Sequence, residues 1–340
     1  MHICIDCRFH KNSGIGRYIK EKVKNIIEDG SFTKYSLIID KNEIDRVFFN
    51  SVCNSQVEII YCQAKMYSVK EQIELPLKIP SCDVFWSMHY NAPILPIRAK
   101  EKWVTIHDVA HLAIADMLKL SFAKRLYAKM LMYSSTHFYN KIYTVSEFSK
   151  NEIIKYENIA PEKIAITYNT VDINKYYKIE DSNKLEYVKS KYSLPDKYIL
   201  YVGNVKPHKN LIRLLEAYYL YKKNNENSIK FVIVGKKDGF ITGIDNIKNV
   251  IDKYDLGTEI KFTGYVEDDD LPAIYSMAKL FVFPSIYEGW GIPPLEALAC
   301  GCKVIASNTA SIPEACGNKV EYFDPFDVMD IKDKIEKYCF

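Results

Sequence analysis

The sequence predicts an α/β fold of two doubly wound domains facing each other across a cleft. Three observations carry this. Short β-rich runs alternate with helical patterns nearly throughout, which implies parallel sheets covered on both faces. A chain of 340 residues is long for one core and natural for two. A polar stretch with no apolar strand, residues 172–197, divides the pattern into halves of like rhythm.

The elements follow in order. In the first half, strands are expected at His2–Cys7, Tyr35–Asp40, Val57–Cys62, Asp83–Ser87, Trp103–His107, Lys141–Ser146 and Ile164–Tyr168. Helices fill the intervals, for instance Gly16–Glu28 and Ser68–Ile79. Residues 172–197 mix charges with tyrosines, with a short helix around Lys184–Lys191, and read as a linker. Strands resume at Tyr198–Val202, Lys230–Val234, Ile260–Gly264, Leu280–Pro284, Val304–Ser307 and Glu321–Phe323, and a helix covers Asp327–Tyr338. The expected domains are therefore 1–171 and 198–340. Right-handed crossovers gather ligands at the carboxyl ends of parallel strands, so the cleft is the expected site.

Composition narrows the class. Hydrophobic residues at 48% and charged residues at 26% are globular values. No apolar run reaches the ~20 residues that span a bilayer. The net charge of +3 gives no footprint for nucleic acid. Residues 1–170 hold 23 Lys and Arg against 18 Asp and Glu, so the first half is the basic one. That balance suits an anionic membrane surface or a phosphate-bearing acceptor. Nine cysteines, an odd number scattered along the chain, read as reduced thiols of a cytoplasmic protein.

The most informative stretch is Ser285-Ile-Tyr-Glu-Gly-Trp-Gly-Ile-Pro-Pro-Leu-Glu-Ala-Leu-Ala-Cys-Gly301. It follows an apolar strand and opens a helix marked by Pro293 and Pro294. Backbone amides and the positive end of the helix dipole at such a junction suit a phosphate, and Gly289 and Gly291 permit its close approach. Glu288 and Glu296 can each accept from sugar or ribose hydroxyls. Taken singly, either glutamate is an ordinary solvated or dipole-complementing residue; the spacing of the pair is the specific part.

This segment resembles the acidic-glycine signature of retaining nucleotide-sugar glycosyltransferases, in particular glycosyltransferase family 4. The resemblance implies the GT-B fold of two Rossmann-like domains, with a donor site that includes Glu288, Gly289, Trp290, Gly291, Ile292 and Glu296. In Tyr201-Val-Gly-Asn-Val-Lys-Pro-His-Lys-Asn-Leu211 it assigns Gly203 and Lys209 to the donor diphosphate, with His208 standing where the family has arginine. A fixed ammonium there counts for more as charge develops on the leaving phosphate; the bland alternative is a solvated lysine at a helix start. Gly14-Ile-Gly-Arg-Tyr18 resembles a loop in one branch of the family, which gives Gly14 and Gly16 to the donor diphosphate and Arg17 to phosphate or acceptor. Without the resemblance it is a tight turn.

Val104-Thr-Ile-His-Asp-Val-Ala-His111 sets His107 at a strand end, where the family has a histidine contacting the transferred sugar. Asp108 is assigned to orient the imidazole or bind an acceptor hydroxyl. His107, Asp108 and His111 look like a metal cluster only superficially; no metal or cofactor is expected. Asp268-Asp-Asp270 reads as an N-cap cluster, not a metal site. Ser146 reads as an N-cap or a cleft hydroxyl. The Lys-, Tyr-, Phe- and Met-rich stretch Leu118–Tyr143 reads equally as a membrane-surface helix or as a core helix with a solvated basic face.

The expected function is retaining, metal-independent transfer of a sugar, best matched to GDP-mannose, onto a saccharide or lipid-linked acceptor in O-antigen or capsule synthesis. His107, Lys209 and Glu288 are the expected catalytic residues, and the cytoplasmic face of the membrane is the expected location. The alternatives are a nucleotide-sugar 2-epimerase of the same architecture and a non-catalytic partner subunit. The family often adds a closing C-terminal helix that crosses back onto the first domain, and none is visible here.

Overall fold

A computed structural model describes residues 1–42, 44–225, 229–235 and 244–339. In chain order the elements begin with β1 (His2–Asp6), α1 (Ser13–Asp29), β2 (Lys34–Asp40), α2 (Arg46–Val52), β3 (Val57–Cys62), α3 (Glu71–Lys78), β4 (Cys82–Ser87) and β5 (Ala99–Thr105). They continue with α4 (Ala110–Ala113), α5 (Phe122–His137), β6 (Lys141–Thr144), α6 (Glu147–Glu157), β7 (Ile164–Ile166) and α7 (Ser182–Tyr192). The rest are β8 (Tyr198–Val202), α8 (Leu211–Lys223), β9 (Lys230–Val234), α9 (Ile244–Lys253), β10 (Ile260–Gly264), α10 (Leu271–Met277), β11 (Leu280–Phe283), α11 (Ile292–Ala299), β12 (Val304–Ser307), α12 (Ile312–Cys316), β13 (Glu321–Phe323) and α13 (Val328–Cys339).

The chain divides into two compact units. The first holds Met1–Ala115 and Lys119–Asn169; the second holds Asp116–Leu118 and Thr170–Phe340. Unit 1 is built on a seven-stranded sheet of order β3-β2-β1-β4-β5-β6-β7, and every pairing is parallel. Unit 2 is built on a six-stranded sheet of order β10-β9-β8-β11-β12-β13, also parallel throughout. The order reverses between β1 and β4 in one and between β8 and β11 in the other. At such a reversal the adjacent loops diverge and leave a crevice at the carboxyl ends of the strands.

Strand periodicity explains the apolar runs. Side chains alternate across a sheet. Tyr198 and Leu200 of β8 enter one core layer with Phe281 and Phe283 of β11. Ile199 and Tyr201 enter the opposite layer with Leu280 and Val282. Both faces are covered, so both registers must be apolar.

Several expected boundaries shift for identifiable reasons. β5 starts at Ala99, four residues before the apolar run, because its polar end pairs in the ladder with Cys82 and Val84 of β4, and Lys100 Nζ reaches Asp83 Oδ1 at 2.6 Å. Strand β6 stops at Thr144, and Ser146 begins the next helix instead. Helix α1 starts at Ser13, so the expected glycine loop forms the helix's first turn.

Residues 172–197 pack onto unit 2. Val188 of α7 is buried in its core, and Lys191 Nζ and Tyr192 Oη reach Asp270 Oδ2 at 2.7 and 3.0 Å. This corrects the expected role of the Asp268–Asp270 cluster. Asp270 stands at the start of α10 without capping it and ties α7 to the unit instead. Asp269 pairs with Lys175 at 3.1 Å.

Cys4 and Cys7 lie at Cys-x-x-Cys spacing, which qualifies the picture of scattered cysteines. Both are buried free thiols, and burial pushes their pKa well above the ordinary range, away from metal-binding thiolate. Among the described residues no group of His, Cys, Asp and Glu is arranged to hold a metal ion, and no helix is long and apolar enough to cross a membrane.

Candidate active site

Two loops leave the carboxyl ends of the neighbouring strands β8 and β11, at the reversal of unit 2. The β8 loop passes Gly203, forms a 3-10 turn at Pro207–Lys209, and reaches α8 through Asn210 in the left-handed region (φ 57°). Asn210 suits that conformation, and its Nδ2 donates to Pro325 O at 2.7 Å. The β11 loop ends at Gly291, whose φ of 103° excludes side chains that need ordinary backbone. The amide of Ile286 donates to His208 O at 2.8 Å and locks the two loops together.

That lock brings Lys209 and Glu288 into contact. Lys209 Nζ lies 2.5 Å from Glu288 Oε1, with the side chains 18% and 15% exposed. The ammonium also lies 5.8 Å from the Phe283 ring centroid. His208 and Trp290 are half-buried beside these groups in sequence, and Gly289 is buried.

Residues outside the expected site brace this loop. Ser311 Oγ lies 2.9 Å from both Glu288 O and Trp290 O. Ser307 Oγ donates to Ser285 O at 2.5 Å, and Thr309 Oγ1 lies 3.1 Å from Ile286 O. All three follow or end β12, the strand next to β11. Small hydroxyl residues in Ser307-Asn-Thr-Ala-Ser311, just after an apolar strand, are the sequence signal that was passed over. Gly235 was missed as well: a Cβ there would meet Gly203 O at 2.4 Å, so β9 and β8 end in bare backbone contact.

Two details qualify the expected phosphate cradle. Pro293 and Pro294 carry no N–H, so the first turn of α11 keeps only the amides of Ile292 and Leu295. More of the attraction for an anion then falls to Lys209. Glu296 is 1% exposed, and its Oε2 accepts from Tyr275 Oη at 3.1 Å. The fold puts it in the unit's interior, not on open surface.

In unit 1, His107 lies two residues beyond β5 and is half-buried. Its Nε2 lies 3.0 Å from Met88 O. A carbonyl only accepts, so Nε2 carries the proton and Nδ1 carries the lone pair. Burial lowers its pKa below the usual histidine value. The Tyr18 ring stands edge-on at 4.9 Å. Asp108 makes no hydrogen bond to this imidazole; its Oδ1 accepts from Ala110 N at 3.0 Å, at the start of α4. Ser146 is fully buried and caps α6 by accepting from Ser149 N at 2.9 Å.

Gly14 and Gly16 differ. A Cβ on Gly14 would meet nothing within 4 Å, whereas one on Gly16 would stand 2.2 Å from His10 O. Gly16 is therefore required for packing of α1, and Gly14 leaves backbone open. Arg17 is half-buried on the same helix.

The segment after β4 also went unread. His89 stacks on Phe9 at 4.3 Å, and Tyr90 stacks on His111 at 4.5 Å. Beneath them a buried network joins Arg8 to Asp6 (2.7 Å) and Glu71 (2.6 Å), and Glu71 to Asn91 Nδ2 (2.9 Å). His-Tyr-Asn after a strand has no motif spacing, and only the β1–β4 adjacency gives it meaning.

Residues 184–339 match the family described as Glycosyl transferases group 1. The serotype-specific mannosyltransferase WbdA of Escherichia coli is 35% identical over 197 residues, 58% of this chain and 24% of WbdA. The O-antigen chain mannosyltransferase B of Escherichia coli is 32% identical over 242 residues, 70% of this chain and 62% of that protein. The chain thus spans about a quarter of WbdA's length (24%) and under two thirds of mannosyltransferase B's (62%). Among solved structures, sucrose-phosphate synthase of Thermosynechococcus elongatus aligns over 99% of this chain and 89% of its own, with TM-score 0.76 and 15% identity. That likeness is one of fold, and the two parallel-sheet units are those of the GT-B class.

Proposed function

From the premise that residues 184–339 belong to the group 1 glycosyltransferases, we propose that the chain moves a sugar from a nucleoside-diphosphate donor to an acceptor hydroxyl. The donor in this reading is GDP-mannose. The acceptor is a saccharide or lipid-linked glycan of O-antigen or related surface polysaccharide, reached on the cytoplasmic side. The mannosyltransferase relatives support the sugar and the pathway class. One observation carries the site: the Lys209–Glu288 pair at the reversal of the unit 2 sheet, where the fold gathers ligands.

The chemistry assigned to these residues is retaining transfer. The bond from the anomeric carbon to the diphosphate oxygen breaks, and the acceptor oxygen bonds to that carbon on the same face. The acceptor's proton passes to the departing phosphate oxygen, so the products are the glycoside and the nucleoside diphosphate. Lys209 neutralises the phosphate as charge builds there, aided by the remaining amides of α11. His208 adds to that field in place of an arginine. Glu288 positions the sugar and faces the positive charge that develops on its ring, and Glu296 accepts from the ribose. His107, neutral and with its lone pair on Nδ1, accepts from a sugar hydroxyl. Gly14, Gly16, Gly203, Gly289, Trp290, Gly291 and Ile292 supply backbone or walls to the donor. Arg17, Asp108 and Ser146 remain the proposed acceptor contacts, with Asp108 and Ser146 also serving the helix starts described above. No metal is assigned a part.

The test is to incubate the full chain with GDP-mannose and glycolipid extract, follow GDP release, and determine the new linkage by NMR. Release that depends on the extract, with an α-linked product, is the expected result. An isomerised sugar formed from donor alone would favour an epimerase and contradict the transfer.

A further inference from the structure

Tyr67 stands in the left-handed region with φ 64°, in the loop between β3 and α3. A bulky aromatic residue is uncommon there and stays only where its surroundings over-determine it, as they do at many ligand sites. Here the surroundings are a buried carboxylate. The Tyr67 amide donates to Glu71 Oε2 at 2.5 Å. Glu71 is fully buried and is held in turn by Arg8, from the loop after β1, and by Asn91, from the loop after β4. Three loops at the carboxyl end of the unit 1 sheet thus meet at one side chain, which fixes the backbone of Tyr67.

The ring held this way is 46% exposed. It lies edge-on to buried Phe9 and His89, with ring centroids 5.9 Å away in both cases. Asn91 N donates to His89 Nδ1 at 3.1 Å, so His89 Nε2 carries the proton and donates to Tyr67 Oη at 3.4 Å. From there the rings continue toward His107. His89 stands 6.4 Å from His107 and 4.3 Å from Tyr90, which stacks on His111. The charges beneath this row, Arg8, Asp6 and Glu71, are buried and paired with one another. Burial lowers the pKa of His89, His107 and His111, so all three are uncharged near neutral pH. Asp108, close enough to act on Tyr67 and Tyr90, repels a phosphate and can accept from hydroxyls. Such a surface suits an uncharged polyol. A pyranose packs its C–H face on an aromatic ring and exchanges hydrogen bonds through its hydroxyls.

We propose that Tyr67 is an acceptor-binding residue, whose exposed ring stacks on a sugar ring of the acceptor saccharide beside the transferred sugar at His107. The proposal rests on the transferase reading for the identity of the ligand. The site lies wholly in unit 1 and uses none of the donor residues of unit 2.

The experiment is calorimetric titration of an α-linked mannotriose into the full chain, with GDP titrated in parallel. Weak but saturable mannotriose binding to the wild type is expected. Tyr67→Gly removes the ring and suits the left-handed backbone. It is expected to keep the wild-type circular dichroism and GDP affinity while binding mannotriose about tenfold more weakly. Tyr67→Phe keeps the ring and is expected to stay within about threefold of the wild type. Mannotriose affinity that Tyr67→Gly leaves unchanged, or no mannotriose binding by the wild type, overturns the proposal. An equal loss of mannotriose and GDP affinity in Tyr67→Gly also overturns it, because that marks a structural role. Tyr67-dependent mannotriose binding by a chain that binds no nucleoside diphosphate supports this site and counts against the donor reading alone.

Discussion

Lys209 Nζ stands 2.5 Å from Glu288 Oε1, on two loops joined by the Ile286 N to His208 O bond. In this arrangement each charge satisfies the other. In the proposed reaction the diphosphate takes the ammonium and leaves the carboxylate to sugar hydroxyls. The pair therefore sets both groups in place in advance, by backbone contacts and not by flexible reach.

Removing either partner is expected to reduce turnover strongly. Lys209→Ala is expected to lower kcat by about a hundredfold to a thousandfold, the scale of losing one transition-state donor. Because the two residues act on one reacting centre, the double variant Lys209→Ala, Glu288→Ala is expected to lose less than the product of the single effects. Steady-state kinetics of the four chains measures this; multiplicative losses would show independent roles.

Ser311 is expected to hold the β11 loop in shape. Its single O–H is shared between Glu288 O and Trp290 O, each 2.9 Å from Oγ. Ser311→Ala removes that one shared donor, at a cost of about 1–3 kcal/mol. Urea unfolding of unit 2 and kcat are both expected to fall, with Ser311→Thr retaining most of each.

The strands were legible because parallel sheets covered on both faces write continuous apolar runs, as in Tyr198–Val202 and Leu280–Phe283. Lys209 and Glu288 were singled out because each stands in a loop between an apolar strand and a helix start and those loops resemble the family's signatures; the structure brings the two side chains into contact. Ser311, His89 and Gly235 were not singled out. Their roles arise from contacts across adjacent strands, such as Ser311 with the β11 loop, which no local pattern encodes. Helix α1 starts earlier than expected because Gly14 and Gly16, poor helix formers, are tolerated where Gly16 must clear His10 O. The Asp270 cap failed because Lys191 and Tyr192, distant in sequence, compete for its carboxylate.

The two N-terminal glycines are expected to separate packing from binding. Gly16→Ala forces a Cβ to within 2.2 Å of His10 O and is expected to destabilise unit 1 by about 1–3 kcal/mol. Gly14→Ala meets nothing and is expected to leave stability unchanged or raise it by about 0.4–1 kcal/mol. Reduced donor affinity in Gly14→Ala, read beside its melting temperature, would place that backbone at the diphosphate; unchanged affinity would remove it.

Acid is expected to weaken unit 1 through His111. Burial against Tyr90 lowers its pKa to about 4, from an ordinary 6.5. Between those values the unfolded chain binds the proton and the folded chain does not. The contribution is therefore complete above pH 6.5 and is lost as pH falls toward 4, by up to about 3 kcal/mol. His111→Phe keeps the stacking and removes the titration, so its stability relative to wild type is expected to rise across that window. A constant difference from pH 7 to 4 would contradict it.

The most direct test of the donor site is calorimetric titration of GDP-mannose and GDP into the wild-type chain and into Lys209→Ala. The expected result is saturable binding to the wild type in the micromolar to millimolar range, roughly where such substrates bind, weakened about tenfold or more by the loss of one charge-assisted phosphate contact. Equal affinity in both chains would contradict the assignment of the diphosphate to Lys209, and so would an absence of binding by any nucleoside diphosphate.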